Sequence, residues 1–215
     1  MEIFFVRHGQ STANAKGLWQ GQLEFPLSPL GKEQARLAGE ALAATGTFSG
    51  VYTSPLQRAA QTAGIISEAL ESSGNFRGEV VTFEGLTERH GGVLQGRSLE
   101  QASYEEPELI EKFRSLPAEE AWSFVGAETN ETLVSRFGSA VEEIRKIHSA
   151  EQSPRAVVVA HGGVLRAYLK KTFGEDALPE GARVPNAALT HVAWRDSSGE
   201  PELLALADTA HLDGL

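Results

Sequence analysis

The chain has 215 residues, long enough to bury about 70% of its unfolded surface, so one domain spanning 1–215 with a full core is expected. Its 19 Lys+Arg stand against 29 Asp+Glu, a formal charge of −10, which repels nucleic-acid backbones and anionic membrane surfaces, so neither is expected as a partner. There is no cysteine, which excludes disulfides and thiolate metal sites but does not fix the compartment. Met1-Glu2-Ile3 opens an apolar run too short for a signal peptide or membrane span, so a cytoplasmic protein is expected.

Short β-branched runs alternate with longer runs of helical period, the pattern of a mostly parallel sheet with helices on both faces, a three-layer α/β/α sandwich. Five strands are the expected count. The first is Ile3 to Val6; Ser28-Pro29 then reads as N-cap and first residue of a helix running to about Ala44. Val51 to Thr53 is a short strand, and Ser54-Pro55 repeats the Ser-Pro start before a helix carrying Leu56, Ala59, Ala63, Ile66 and Leu70, closed by Ser72-Ser73-Gly74-Asn75. Val80 to Phe83 is the third strand, and Leu86 to Gly96 reads as a glycine-rich charged loop, a candidate working surface.

From Ser98 to about Phe124 the periodicity weakens. Ser98-Leu99-Glu100-Gln101 matches a capping box and Pro107 opens a second short helix, together a lid-like excursion over 98–124. Thr129 caps a long amphipathic helix with Leu133, Phe137, Val141 and Ile144 inward. Ala156 to Ala160 is a strand, about Val164 to Phe173 a helix, and a loop with Pro179, Pro185 and Asn186 leads to a hairpin of Leu189 to Trp194 and Leu203 to Leu206, turned at Asp196-Ser197-Ser198-Gly199.

Chemistry concentrates where two strands stop. Arg7-His8-Gly9 ends the first and His161-Gly162-Gly163 ends the strand at Ala160. A histidine at the carboxyl edge of a sheet, followed by a helix whose free N–H groups and positive dipole end face it, suits an anion, here a phosphoryl group.

Around these two sites, Arg7-His8-Gly9-Gln10-Ser11-Thr12-Ala13-Asn14, Gln20-Gly21, Leu27 to Ala35, Ser54-Pro55-Leu56-Gln57-Arg58, Leu86-Thr87-Glu88-Arg89-His90-Gly91, Gly126-Ala127-Glu128-Thr129 with Arg136, His161-Gly162-Gly163 and Asn186 together resemble the histidine phosphatase superfamily, in its phosphoglycerate-mutase-like branch and of the broad-specificity phosphatase type. Ala127 departs from a glycine in that pattern. The resemblance implies catalytic roles for His8, Glu88, His161, Arg7 and Arg58, and phosphate or substrate contacts from Arg7, Asn14, Gln20, Gly21, Arg58, Arg89, His161 and Gly162, with no metal and no cofactor.

The residue types fit that chemistry. Neutral imidazole carries an exposed lone pair near neutral pH, so His8 can accept a phosphoryl group. The transferring group spreads charge over three oxygens and needs fixed positive donors, expected from Arg7, Arg58 and a protonated His161, with Asn14 adding a neutral one. Glu88 is expected to protonate the leaving oxygen and then to activate water. Arg89 and His90 read equally as substrate contacts or loop surface, Trp19, Trp122 and Phe124 equally as pocket wall or packing, and Glu128 with Arg136 as a structural pair.

Duller readings suffice elsewhere. His148 is expected to make a helix-dipole contact, His191 and His211 have no motif around them, and the sequon at Asn130-Glu131-Thr132 is read as unused. The acid pairs Glu105-Glu106, Glu119-Glu120 and Glu142-Glu143 do not converge on one ion. Between Tyr104 and Phe124, Lys112 and Arg114 face six glutamates, whereas a mutase lid should present several cations. A phosphatase for a small phosphorylated metabolite is therefore expected, with a cofactor-dependent phosphoglycerate mutase as the alternative and a silent phospholigand-binding protein below it. The oligomeric state is left open.

Overall fold

The computed structural model describes residues 1–178, 183–195 and 199–215. Pro179 and most of the expected hairpin turn, Asp196-Ser197-Ser198, lie outside the described residues. In chain order the elements are β1 (Glu2–Arg7), α1 (Thr12–Ala15), α2 (Pro29–Ala43), β2 (Gly50–Thr53), α3 (Gln57–Ser72), β3 (Val80–Thr82), α4 (Leu99–Glu105), α5 (Pro107–Ser115), α6 (Ala118–Phe124), α7 (Asn130–Ile147), β4 (Arg155–Ala160), α8 (Gly162–Phe173), β5 (Leu189–Trp194) and β6 (Pro201–Asp208).

The strands form one sheet in the order β3-β2-β4-β1-β5-β6. The first four are parallel; β5 and β6 are antiparallel. Six strands stand where five were expected, because both arms of the C-terminal hairpin join the sheet: β5 pairs directly with β1, from Glu2↔Ala193 to Val6↔Leu189, and carries β6 outward.

The continuous apolar runs of β1 and β4 suit strands buried on both faces. Alternate residues point to opposite sides: Ile3, Phe5, Ala156 and Val158 pack under α7 and α8 with Phe137, Ile144 and Leu169. Phe4, Val6, Val157 and Val159 pack under α2 and α3 with Leu42, Ala63 and Ile66. The lid, α4 to α6, holds its own small cluster of Leu94, Ala102, Ile110 and Val125, edged by Trp19, Phe113 and Trp122. Its third helix, α6, was not expected from the weak apolar pattern around Glu119-Glu120.

The caps divide the expectations. Ser28 Oγ accepts from Gly31 N at 3.0 Å and starts α2 at Pro29 as its sequence suggests; Ser98 and Thr129 likewise cap α4 and α7. Ser54-Pro55 does not start α3, which begins at Gln57 after Leu56 with no side-chain cap. Ser54 Oγ lies 2.8 Å from His161 Nε2 instead. His148 sits at the end of α7, but its buried ring is held by partners rather than by the dipole alone, Nε2 2.6 Å from the Tyr52 hydroxyl and Nδ1 2.6 Å from Glu151. His191 stacks on Phe4 with ring centroids 3.9 Å apart, a packing role.

Candidate active site

The parallel pairing of β1 with β4 sets Arg7 beside Ala160. The next N–H, from His8, donates to Ala160 O at 2.9 Å, so His8 and His161 leave the sheet at the same level. Their ring centroids are 5.1 Å apart at an interplanar angle of 61°, and His8 is 2% and His161 0% exposed. The chain turns sharply after His8 because Gly9 packs on the first turn of α2: a Cβ there would lie 2.2 Å from Gly31 O. Gly9 N donates to Thr62 Oγ1 at 3.1 Å, which ties the same turn to α3.

His8 Nδ1 lies 2.7 Å from Gly9 O. A carbonyl only accepts, so Nδ1 carries the proton and the neutral ring keeps its lone pair on Nε2. Burial, then the charges of Arg7 and Arg58, push the His8 pKa well below its ordinary value. The nucleophilic form is therefore the resting form at neutral pH.

His161 departs from the expectation that it is protonated. Burial, then Arg58, His8 and Arg7, hold its pKa well below the ordinary histidine value. It can still donate when neutral. Ser54 Oγ accepts from Leu56 N at 3.3 Å; when its own hydrogen goes to His161 Nε2, the ring proton sits on Nδ1. Among the described residues that buried Nδ1 has no partner, and neither do Arg7 Nε and Arg58 Nε.

Both arginines are fixed at their far ends. Arg7 Nη1 donates to Val184 O at 2.5 Å; Arg58 Nη1 and Nη2 donate to Leu23 O and Gly21 O at 2.9 and 2.7 Å. Burial lowers the pKa of Arg7 and pulls Arg58 down to about 10, and Arg58 keeps its charge at neutral pH. Three unpartnered buried nitrogens around one imidazole make a cradle for an anion, since an unmade buried hydrogen bond costs about 1–3 kcal/mol.

Glu88 occupies the helix terminus that the sequence reading left for the phosphoryl group. Its Oε1 accepts from Arg89 N and Val164 N at 2.7 and 3.0 Å, and its Oε2 from Gly163 N at 2.8 Å. Gly163 has no side chain because none fits: a Cβ would come 2.6 Å from Glu88 Oε1. Arg136 fixes the loop from below, donating to Glu88 O, Thr87 O and Gly85 O while paired with Glu128 at 2.7 Å. The structural reading of that pair holds.

Nine of the ten expected site residues, Arg7, His8, Asn14, Gln20, Gly21, Arg58, Glu88, Arg89 and Gly162, line one cavity of about 1500 Å³, and His161 lies buried beside the His8 ring. Asn14 Oδ1 accepts from Ser11 N and from Asn186 Nδ2, which leaves the Asn14 amide N–H groups as donors. Gly21, at φ +53°, contributes the carbonyl that holds Arg58. The Arg89 guanidinium is spent on the start of α7 and the lid, donating to Glu128 O and Asn130 Oδ1 with its Cζ 4.4 Å from the ring centre of the lid's Trp122. His90 is loop surface, exposed and outside the cavity. Trp19 and Trp122 line the cavity and pack on each other, whereas Phe124 is exposed and does not line it.

Sequence reasoning missed Ser54 as the partner of His161, Gly163 as the seat of Glu88, and Gln95, whose Oε1 joins Gln22 N and Gly91 N. Residue identity alone signalled none of them. Residues 3–209 match the family model described as histidine phosphatase superfamily (branch 1).

The chain belongs to the histidine phosphatase superfamily. Within it, the chain is 36% identical to a metal-independent phosphoserine phosphatase of Arabidopsis thaliana, across 100% of this chain and 84% of that one. It is 29% identical to a broad-specificity phosphatase of Saccharomyces cerevisiae, across 99% and 87%. A mycobacterial glucosyl-3-phosphoglycerate phosphatase structure superposes with a TM-score of 0.78 at 27% identity, covering 95% of this chain and 98% of that one. Phosphoglycerate mutase of Bacillus anthracis shares the fold, with a TM-score of 0.82 at 20% identity over 99% and 95%.

Proposed function

We propose that this histidine phosphatase hydrolyses small phosphomonoesters through a phosphohistidine on His8, without metal. The observation that carries the reading is the His8 ring, held with its Nε2 lone pair free amid the unpartnered nitrogens of Arg7, Arg58 and His161. In the first step His8 Nε2 bonds to phosphorus as the ester P–O bond breaks, and the leaving oxygen takes a proton from the Glu88 carboxyl group. In the second, water gives a proton to Glu88 as its oxygen bonds to phosphorus, the P–N bond breaks, and neutral His8 and inorganic phosphate are restored. The arginines supply the charge stabilisation that a metal ion would otherwise provide.

The lid favours water over a second substrate hydroxyl as acceptor. It lends the cavity Leu99, Ala118, Glu119 and Trp122, and neither of its cations, Lys112 and Arg114, lines it. A lid that held an anionic intermediate for reorientation would place cations there.

The test is phosphate release from a panel that includes phosphoserine and phenyl phosphate, in excess chelator, for the wild type and His8→Ala. Chelator-resistant turnover that falls at least about 10³-fold in His8→Ala is expected, given the scale of nucleophile removal in other hydrolases. Turnover that needs an added divalent ion, or that survives His8→Ala, would overturn the reading.

A further inference from the structure

The phosphoryl cradle and the acid stand on different loops. Arg58 is held by the carbonyls of Gly21 and Leu23, between α1 and α2, whereas Glu88 lies between β3 and α4. Gln95, further along the acid's loop, joins the two. Its Oε1 accepts from Gln22 N at 2.8 Å across the gap and from Gly91 N at 3.1 Å within its own loop. Both loops pack tightly on this side chain: a Cβ on Gly21 would lie 2.0 Å from Gln95 Oε1, and one on Gly91 would lie 3.0 Å from Gln95 Cγ. Gln22 completes the join, its Nε2 donating to Glu88 O at 2.9 Å.

Glu88 O has a second donor, Arg136 Nη2 at 3.0 Å, and Arg136 also holds Thr87 O and Gly85 O. The acid's loop is therefore attached to α7 with or without Gln22. What Gln22 adds is a fixed distance to the cradle. Gln20 and Gly21 line the cavity but Gln22 and Gln95 do not, so the latter two amides act through the loops rather than on substrate. We infer that Gln22 and Gln95 are positioning residues that set the spacing between Glu88 and Arg58. Gln22 acts on the acid alone; Gln95, which also seats the Gly21 turn, acts on the acid and on the cradle. A proton passes to the leaving oxygen only within hydrogen-bond reach, and a misplacement of about 1 Å costs about 10²-fold.

Leaving groups read this spacing directly, given the reading of Glu88 as the acid on which the inference rests. An alkoxide must be protonated as it departs, whereas 4-nitrophenolate leaves unprotonated at neutral pH. A displaced acid therefore penalises an alkyl ester selectively. A damaged fold lowers the active fraction and scales both esters alike.

The test measures kcat/KM with 2-phenylethyl phosphate and with 4-nitrophenyl phosphate, for the wild type, Gln22→Leu, Gln95→Leu, Gln95→Glu and, as the reference, Glu88→Gln. Glu88→Gln and Gln22→Leu are expected to lower the alkyl ester at least about tenfold more than the aryl ester, a part of what general acid catalysis supplies. Gln95→Leu should lower the aryl ester as well, by about tenfold or more, because Arg58 loses its seat. Gln95→Glu still accepts both N–H bonds and should stay within about threefold of the wild type on both esters, the worth of the contact it gives up to His90 at 3.3 Å. Equal losses on the two esters in Gln22→Leu beside unequal losses in Glu88→Gln, or a Gln95→Glu no more active than Gln95→Leu, would overturn the inference and leave the phosphatase reading intact. Equal losses in Glu88→Gln would overturn the acid role and the inference with it.

Discussion

At the scale of single residues, the site depends on what each side chain is denied as much as on what it holds. Glu88 is kept over α8 because Gly163 has no Cβ, and the contact of 2.6 Å that a methyl would make leaves no room for both. Alanine at position 163, in the first turn of α8, is the better helix former by up to about 1 kcal/mol. Gly163→Ala should therefore shift the urea midpoint little, the helix propensity offsetting the loss of the Glu88 contacts to Gly163 N and Val164 N, while kcat falls about 10²-fold, as for loss of a general acid. Retained kcat would show that the position of Glu88 over α8 is irrelevant to turnover. Residue identity was also the most legible layer of the sequence: the two strand-end histidines, Arg58 and Glu88 converge where their motifs suggested. The charge state of His161 was not legible, because it follows from complete burial and from the nearness of Arg58 and His8, which no local pattern encodes.

Among the elements, identical dipeptides took different parts. Ser28-Pro29 starts α2, and Ser28 Oγ both accepts from Gly31 N and donates to Gln10 Oε1. Ser54-Pro55 stands two residues outside α3, its hydroxyl engaged with a ring 107 positions further along the chain. Helix boundaries set by local capping were readable; one set by a distant partner was not. The lid shows the same limit from the other side, since α6 is held to its neighbours by Trp122 on Trp19 and Arg89 rather than by a strong apolar face. Ser28→Ala should lower unfolding stability by about 1 kcal/mol, the usual worth of a lost N-cap, read from the urea midpoint at constant m-value. An unchanged midpoint would mean that Pro29 alone sustains the start of α2.

For the whole molecule, the two buried histidines of the site tie stability to pH. Both have folded-state pKa values well below 6.5, so the folded protein stays unprotonated at these rings where the unfolded chain takes up protons. Stability from this source is fully present above about pH 6.5 and is lost as pH falls below it toward the depressed folded values, by up to about 1.4 kcal/mol per pH unit for each ring. The urea midpoint is expected to drop between pH 7 and 5, and to drop less steeply in His8→Asn; equal slopes in the two proteins would refute the linkage. The fold class was clear from the alternation of runs, but the count of strands in the sheet was not, because no local pattern in the C-terminal hairpin shows that both its arms join the sheet.

The order of strands across the sheet has a bearing on how the protein comes into being. β4 lies between β1 and β2, yet it is made more than a hundred residues after either. A chain emerging from the ribosome therefore carries His8 and both arginines long before the strand that brings His161 and seats Glu88 on α8. Until that late strand slots into the middle, the sheet lacks its centre and the cradle lacks a wall, so a nascent chain cannot hold a phosphate ester in a half-built pocket. Competence for catalysis requires that strand, and with it the completed core.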